Sequence, residues 1–163
     1  MEWASVPSPI GPLGVAADGA SVTGIRFAGP PPGPLVRTPV LDLVAEQLAE
    51  YFAGSRTDFT LPLAPPAGSA FDRAIWAAIA AIPYGETATY GALAAQVGQP
   101  DAARAVGVAC HRNPVPIVVA CHRVVGAGGK LVGFGGGLPR KRFLLELEAR
   151  VWIEQTFKSG SPT

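Results

Sequence analysis

Thr87-Ala88-Thr89-Tyr90-Gly91-Ala92-Leu93-Ala94-Ala95-Gln96-Val97-Gly98-Gln99-Pro100-Asp101-Ala102-Ala103-Arg104-Ala105-Val106-Gly107-Val108-Ala109-Cys110 decides the reading of this chain, because two short helical patterns flank one glycine turn. Tyr90, Leu93, Ala94 and Val97 recur at helical spacing and predict a helix from about Thr87 to Val97, closed by Gly98-Gln99. Pro100 suits the first position of a following helix and Asp101 complements its dipole. Ala103, Val106 and Cys110 share that helix's inward face. Two short helices joined by a three- or four-residue turn make a helix-turn-helix unit. Arg104 falls off the packing face, beside Gly107 and Val108, where a solvated arginine and a contact to DNA both fit.

Upstream, Ser69 and Asp72 have capping-box spacing, and Phe71, Ile75 and Ile79 follow at steps of four, predicting a buried helix over 70–81. Pro62, Pro65, Pro66 and Gly68 form a stiff loop that neither helix nor central strand tolerates. A domain boundary is expected there, giving domains at 1–65 and 69–153 and a tail at 154–163. Before the loop, Thr57 to Leu63 reads as extended. Thr38-Pro39 fits an N-cap and first helical position, and Leu41, Val44, Ala45, Leu48, Tyr51 and Phe52 recur at helical spacing until Gly54. Gly14-Val15-Ala16 and Ser21 to Phe27 flank an Asp18-Gly19 turn signal, which predicts a hairpin.

Downstream, Pro116-Ile117-Val118-Val119-Ala120 reads as a buried strand or extended segment that delivers Cys121-His122-Arg123. A thiol becomes a nucleophile when a base removes its proton, and histidine titrates near working pH. Neighbours in an extended chain point to opposite sides, so contact between Cys121 and His122 needs a bridging water or a local turn. The last helix, about Pro139 to Trp152, packs through Leu144, Leu147 and Val151 and carries Glu148 on the same side. A carboxylate there needs a partner, and orienting a histidine that serves a cysteine is the general logic of an activated nucleophile. Such a relay predicts a thiol more acidic than the roughly 8.5 of free cysteine. A buried structural cysteine fits the same residues. The repeated Ala-Cys-His-Arg at 109–112 and 120–123 also offers four zinc-type ligands, but adjacent residues seldom bind one ion.

Composition narrows the class. The 163 residues are 48% apolar and only 15% charged, which excludes disorder, and no run approaches the roughly 20 apolar residues of a membrane span. Met1-Glu2-Trp3 opens without a signal-peptide pattern, so a cytoplasmic protein is expected. Two cysteines cannot make a disulfide framework. Residues 1–97 carry four Lys/Arg against eight Asp/Glu, whereas 98–150 carry eight against three. Basic charge gathered in one third of the chain suggests a polyanion partner there.

Taken together, Arg104-Ala105-Val106-Gly107, Asn113-Pro114-Val115-Pro116-Ile117, Cys121-His122-Arg123-Val124-Val125, Gly133-Phe134 and Gly136-Gly137 resemble the O6-alkylguanine-DNA alkyltransferases, or methylated-DNA-protein-cysteine methyltransferases. Ile82-Pro83-Tyr84-Gly85-Glu86, Thr89-Tyr90-Gly91 and Ser8-Pro9-Ile10-Gly11-Pro12-Leu13 are similar to the same family, so the match covers most of residues 8–150 in order. The resemblance implies an α+β protein: a small ribonuclease-H-like α/β domain, then a mainly helical, winged-helix-like domain carrying a helix-turn-helix. It implies a monomer that enters double-stranded DNA from the minor groove, with no membrane, metal or cofactor. Arg104 would fill the gap left by a flipped nucleotide, with Ala103 and Gly107 beside it against the DNA, and Tyr90 would crowd the target phosphate and protonate the guanine ring. Extrusion is needed because the alkylated oxygen lies within a stacked pair. Asn113 would act as hinge; the Cys121 and Val124 carbonyls and the amide near Gly135 would read the base, beside Phe134. Cys121 would accept the alkyl group in one irreversible turnover, its proton reaching His122 through a water, with Glu148 orienting the imidazole.

Two positions depart from the family. Proline usually precedes the cysteine, where this chain has Ala120, and tyrosine usually stands at Phe134. Alanine adds a backbone N–H and conformational freedom beside the thiol, and phenylalanine lacks a hydroxyl at the pocket. The alternative function is that of the family's alkyltransferase-like branch, which binds damaged DNA without transfer and replaces the cysteine that this chain keeps. A helix-turn-helix regulator is the third reading, though nothing in the chain resembles an effector domain. O4-alkylthymine stands as a second candidate substrate.

Overall fold

The computed structural model describes residues 1–27, 29 and 31–159. The chain opens with three antiparallel strands in sequence order, β1 (Glu2–Val6), β2 (Leu13–Asp18) and β3 (Ser21–Arg26). The β2–β3 hairpin is the one the Asp18-Gly19 signal predicts, with Gly19 at φ +64°. β1 was not foreseen, because its half-buried side chains give no clean alternation; pairing from Glu2–Ala17 to Val6–Leu13 holds it.

α1 (Pro39–Phe52) packs on this sheet. Thr38 Oγ1 accepts from Leu41 N at 3.3 Å, and Val44, Leu48 and Tyr51 are buried among Leu13, Val15 and Ile25. Each such aliphatic side chain contributes roughly 1.5–3 kcal/mol by leaving water. Residues 57–63, expected to be extended, form no strand. Leu63 alone bridges Val22, and Gln47 pins Thr60, donating to its Oγ1 at 2.9 Å and accepting from its N at 2.9 Å.

The second half contains α2 (Ala70–Ala80), β4 (Ala88–Thr89), α3 (Tyr90–Gln96), α4 (Ala103–His111), β5 (Val124–Val125) and α5 (Leu138–Ser159). Ser69 caps α2 as predicted, accepting from Asp72 N at 3.0 Å. The next two helices start later than the sequence suggested. Residues 88–89 pair in parallel with 124–125, and Thr89 Oγ1 accepts from Ala92 N at 3.0 Å, so α3 begins at Tyr90. Pro100 and Asp101 occupy the centre of a reverse turn closed by Ala102 N to Gln99 O at 2.9 Å, which leaves 97–102 as the link between helices. Ile75, Ile79, Leu93, Val106 and Ala109 form the core beneath the helix pair, and Trp76 Nε1 donates to Ala109 O at 2.8 Å.

Residues 116–120 are a tight turn and not a strand. Val119 N donates to Val115 O at 2.9 Å, and Ile117 takes φ +75°, a costly conformation for a β-branched residue. An unbroken apolar run has no period with which to distinguish strand from turn. α5 runs past Trp152 to Ser159, so residues 154–159 of the expected tail are helical, while 160–163 lie outside the described residues. Leu144, Leu147 and Val151 join the core of the first half, so α5 packs against both halves of the chain. No helix among the described residues is long and apolar enough to cross a membrane.

Candidate active site

The 116–119 turn hands the chain to a single 3-10 turn, Cys121–Arg123, whose three side chains are all buried. Asn113 holds the preceding segment. Its Nδ2 donates to Val119 O at 2.7 Å and its Oδ1 accepts from Val115 N at 3.0 Å. The 3-10 geometry, not an extended chain, sets the directions of Cys121 and His122, so the alternation argument does not apply to them.

Glu148 lies 1% exposed on α5 and receives hydrogen bonds from four residues. His122 Nε2 donates to Oε2 at 2.6 Å, Tyr51 Oη donates to the same oxygen at 2.6 Å, and Arg123 donates through Nε to Oε1 at 2.7 Å and through Nη2 to Oε2 at 3.2 Å. Gly85 N adds a weaker bond at 3.4 Å. Burial alone would raise the Glu148 carboxyl, but the hydrogen bonds and charge of His122 and Arg123 outweigh it and hold the group at about 2. An ionised carboxylate only accepts, so Nε2 carries the imidazole proton of neutral His122 and Nδ1 is the free base. Nδ1 is buried and has no hydrogen-bond partner among the described residues. Burial lowers the His122 pKa, with Glu148 acting in the opposite sense, so the ring is neutral at physiological pH.

Cys121 lines a cavity of about 440 Å³ whose wall also includes Tyr90, Ala103, Arg104, Gly107 and Phe134. Val108, Val132, Gly133, Gly135, Cys110 and His111 complete the wall. The pocket thus collects seven of the residues predicted from sequence, while His122, Glu148, Asn113 and Val124 do not line it. Val124 is fully buried in β5. Arg104 is exposed at the mouth. Phe134 packs edge-on against Phe27 from the first half, with ring centroids 5.1 Å apart.

One expectation is overturned. Burial pushes the resting Cys121 thiol above its ordinary value, although Asn113 and nearby Lys141 act the other way. The resting thiol is protonated, and a base must act at the moment of attack. Cys110, expected on the inward face of its helix, packs against the core there and also lines the same pocket, and burial pushes its thiol to about 12. Tyr90 is likewise pushed up to about 12 by burial and then by the two cysteines, so it keeps its proton. Among the described residues no group of three or more His, Cys, Asp or Glu is placed to hold a metal ion.

Three residues escaped the sequence reading. Lys141 is buried, donating to Gly133 O at 2.9 Å and Tyr90 Oη at 3.3 Å. Arg123 spans Glu148 and Ile82 O, and Tyr51 reaches the site from α1. Both cations fall within the basic segment, and no local pattern marks a lysine or arginine as buried.

Residues 1–65 match the family described as 6-O-methylguanine DNA methyltransferase, ribonuclease-like domain, and residues 70–150 match 6-O-methylguanine DNA methyltransferase, DNA binding domain. The chain is 46% identical to the methylated-DNA--protein-cysteine methyltransferase of Mycobacterium bovis, covering 91% of this chain and 92% of that one. It is 42% identical to the protein of the same name from Haemophilus influenzae, over 96% and 90% of the two chains. The Mycobacterium tuberculosis OGT solved in complex with DNA superposes with a TM-score of 0.85 at 44% identity, covering 93% of this chain and 94% of that chain. With both halves of the family matched in order around a buried Cys-His-Glu cluster, the chain belongs to the 6-O-methylguanine-DNA methyltransferase family.

Proposed function

We propose that this protein repairs DNA by moving an alkyl group from guanine O6 to Sγ of Cys121, once per molecule. The observation that carries the reading is His122, next to Cys121 in the buried 3-10 turn, with its Nε2–H committed to an ionised Glu148 and its Nδ1 left as a buried base. In the reaction Sγ bonds to the alkyl carbon as the C–O6 bond breaks. The thiol proton passes through a water to His122 Nδ1, and Tyr90 Oη gives a proton to the guanine ring as negative charge develops there. The net products are a thioether and guanine, with the thiol hydrogen balanced by the one the ring gains. Lys141, bonded to Tyr90 Oη, stabilises the phenolate that this transfer leaves.

Arg104 at the pocket mouth occupies the stack vacated by the flipped nucleotide, with Ala103 and Gly107 permitting close approach in the minor groove. Asn113 fixes the turn between α4 and Cys121. The carbonyls of Cys121 and Val124 and the amide near Gly135 read the base, with Phe134 as an apolar wall. The reading requires no cofactor, has a monomer act on alkylated duplex DNA, and assigns the protein to the cytoplasm, where two unpaired thiols stay reduced. The domains proposed are 1–65 and 69–153. Methyl transfer from O6-methylguanine duplex to protein, saturating at one equivalent per chain, tests the reading. Tight binding of that duplex with no transfer would instead assign the protein to damage recognition alone.

A further inference from the structure

Tyr51 is a fully buried tyrosine of α1, in the half of the chain that carries no other member of the site. Its ring is held by Phe52, Phe59 and Tyr84, at centroid distances of 5.2, 5.4 and 6.3 Å. Space-filling would need only phenylalanine there. The hydroxyl instead donates to Glu148 Oε2 at 2.6 Å, the oxygen and the distance that His122 Nε2 also uses. Burial and the adjacent carboxylate push the Tyr51 hydroxyl well above its ordinary value, so it acts only as donor.

One carboxylate oxygen has two lone pairs, and two short bonds occupy both. The third donor on Oε2, Arg123 Nη2, stands back at 3.2 Å. Tyr51 and His122 therefore compete for the same electron density. A donor that draws charge from Oε2 weakens the pull of Glu148 on the imidazole, and fixes which oxygen faces the ring.

We infer that Tyr51 is a positioning residue for the acceptor site: its hydroxyl shares Glu148 Oε2 with His122 and so sets the basicity of the imidazole that serves Cys121. The inference rests on the proposed function for its kinetic readout only. Every group that faces the pair contributes to the same titration. Glu148 sees Tyr51 from α1, Tyr84 and Gly85 N from the loop after α2, and His122 and Arg123 from the 3-10 turn. Arg150 approaches Tyr84 from α5, and His122 also feels Arg123 and Lys141.

The test uses full-length Tyr51→Phe, which keeps the ring and its contacts. Two titrations are run over about pH 4 to 8: single-turnover methyl transfer at saturating duplex, and the His122 ring nitrogens by NMR without substrate. The expected result is an upward move of the His122 midpoint by about half to one pH unit in both, with duplex affinity within about twofold of wild type. An unchanged midpoint in the NMR titration overturns the inference. So does a rate loss with an unmoved pH profile, explained by weaker DNA binding or a smaller folded fraction. If the wild type transfers no methyl, the proposed function fails, yet the NMR titration still decides the role of Tyr51.

Discussion

Glu148→Gln keeps the shape of the side chain and removes the charge beneath the donors of Tyr51, His122, Arg123 and Gly85. The new amide nitrogen must point at a donor whichever way it turns, and the Arg123 cation loses its buried partner. Breaking a buried pair from one side costs about 3–5 kcal/mol. The depressed carboxyl leads to a similar figure: a group held at about 2 in the fold against an ordinary 4.5 corresponds to about 3 kcal/mol at neutral pH. The sign follows from the depression of that pKa. The stabilisation is present above the unfolded value and is lost as pH falls from 4.5 toward about 2. His122, whose pKa is lowered in the fold, adds an earlier loss that begins below 6.5, because the unfolded chain takes up that proton first. Urea unfolding followed by tryptophan fluorescence at stepped pH should show Glu148→Gln less stable by about 3 kcal/mol at pH 7. That gap should narrow below about pH 4.5 and be mostly closed near pH 2. A gap under about 1 kcal/mol at neutral pH, or one that stays constant on acidification, would refute the assignment of Glu148 as a buried anion.

Two further outcomes follow from single positions. Ala120 has φ −79°, close to the value a proline ring imposes, and none of the hydrogen bonds among the described residues uses its amide. Ala120→Pro should therefore stabilise the fold by about 0.4–1 kcal/mol through the unfolded state and speed transfer; a variant that melts lower and transfers more slowly would show that the loop cannot take the family's proline. Arg104→Ala should slow transfer from duplex DNA far more than transfer from the free base, measured side by side. Equal losses would mean that Arg104 supports the pocket and not extrusion.

Much of the fold was legible because its signals are local. Thr38 and Ser69 cap their helices where the sequence put them, and the Asp18-Gly19 turn closes the expected hairpin. Errors fell where a residue's role depends on something distant in sequence. Thr89 starts α3 because 88–89 are held by 124–125, and Pro100 closes a turn where a helix start was equally allowed. The Cys121, His122 and Glu148 grouping could be suspected from residue chemistry. Tyr51 could not, because its partner lies 97 positions away and its place on the inner face of α1 reads as ordinary core. Arg123 and Lys141 also correct the charge argument. Both are buried and bonded within the protein, so the basic excess of residues 98–150 is only partly a surface for DNA.

The central claim is that one thiol, Cys121, takes one alkyl group. Cys110 makes the claim easy to contradict, since it lines the same pocket and differs in lacking the His122–Glu148 pair. Intact-protein mass spectrometry after incubation with excess O6-methylguanine duplex, followed by peptide mapping, reads the answer directly. The account predicts a single added methyl per chain, carried by Cys121, unchanged in Cys110→Ser and absent in Cys121→Ser. Methyl on Cys110, release of more than one guanine per chain, or an unmodified protein would contradict it.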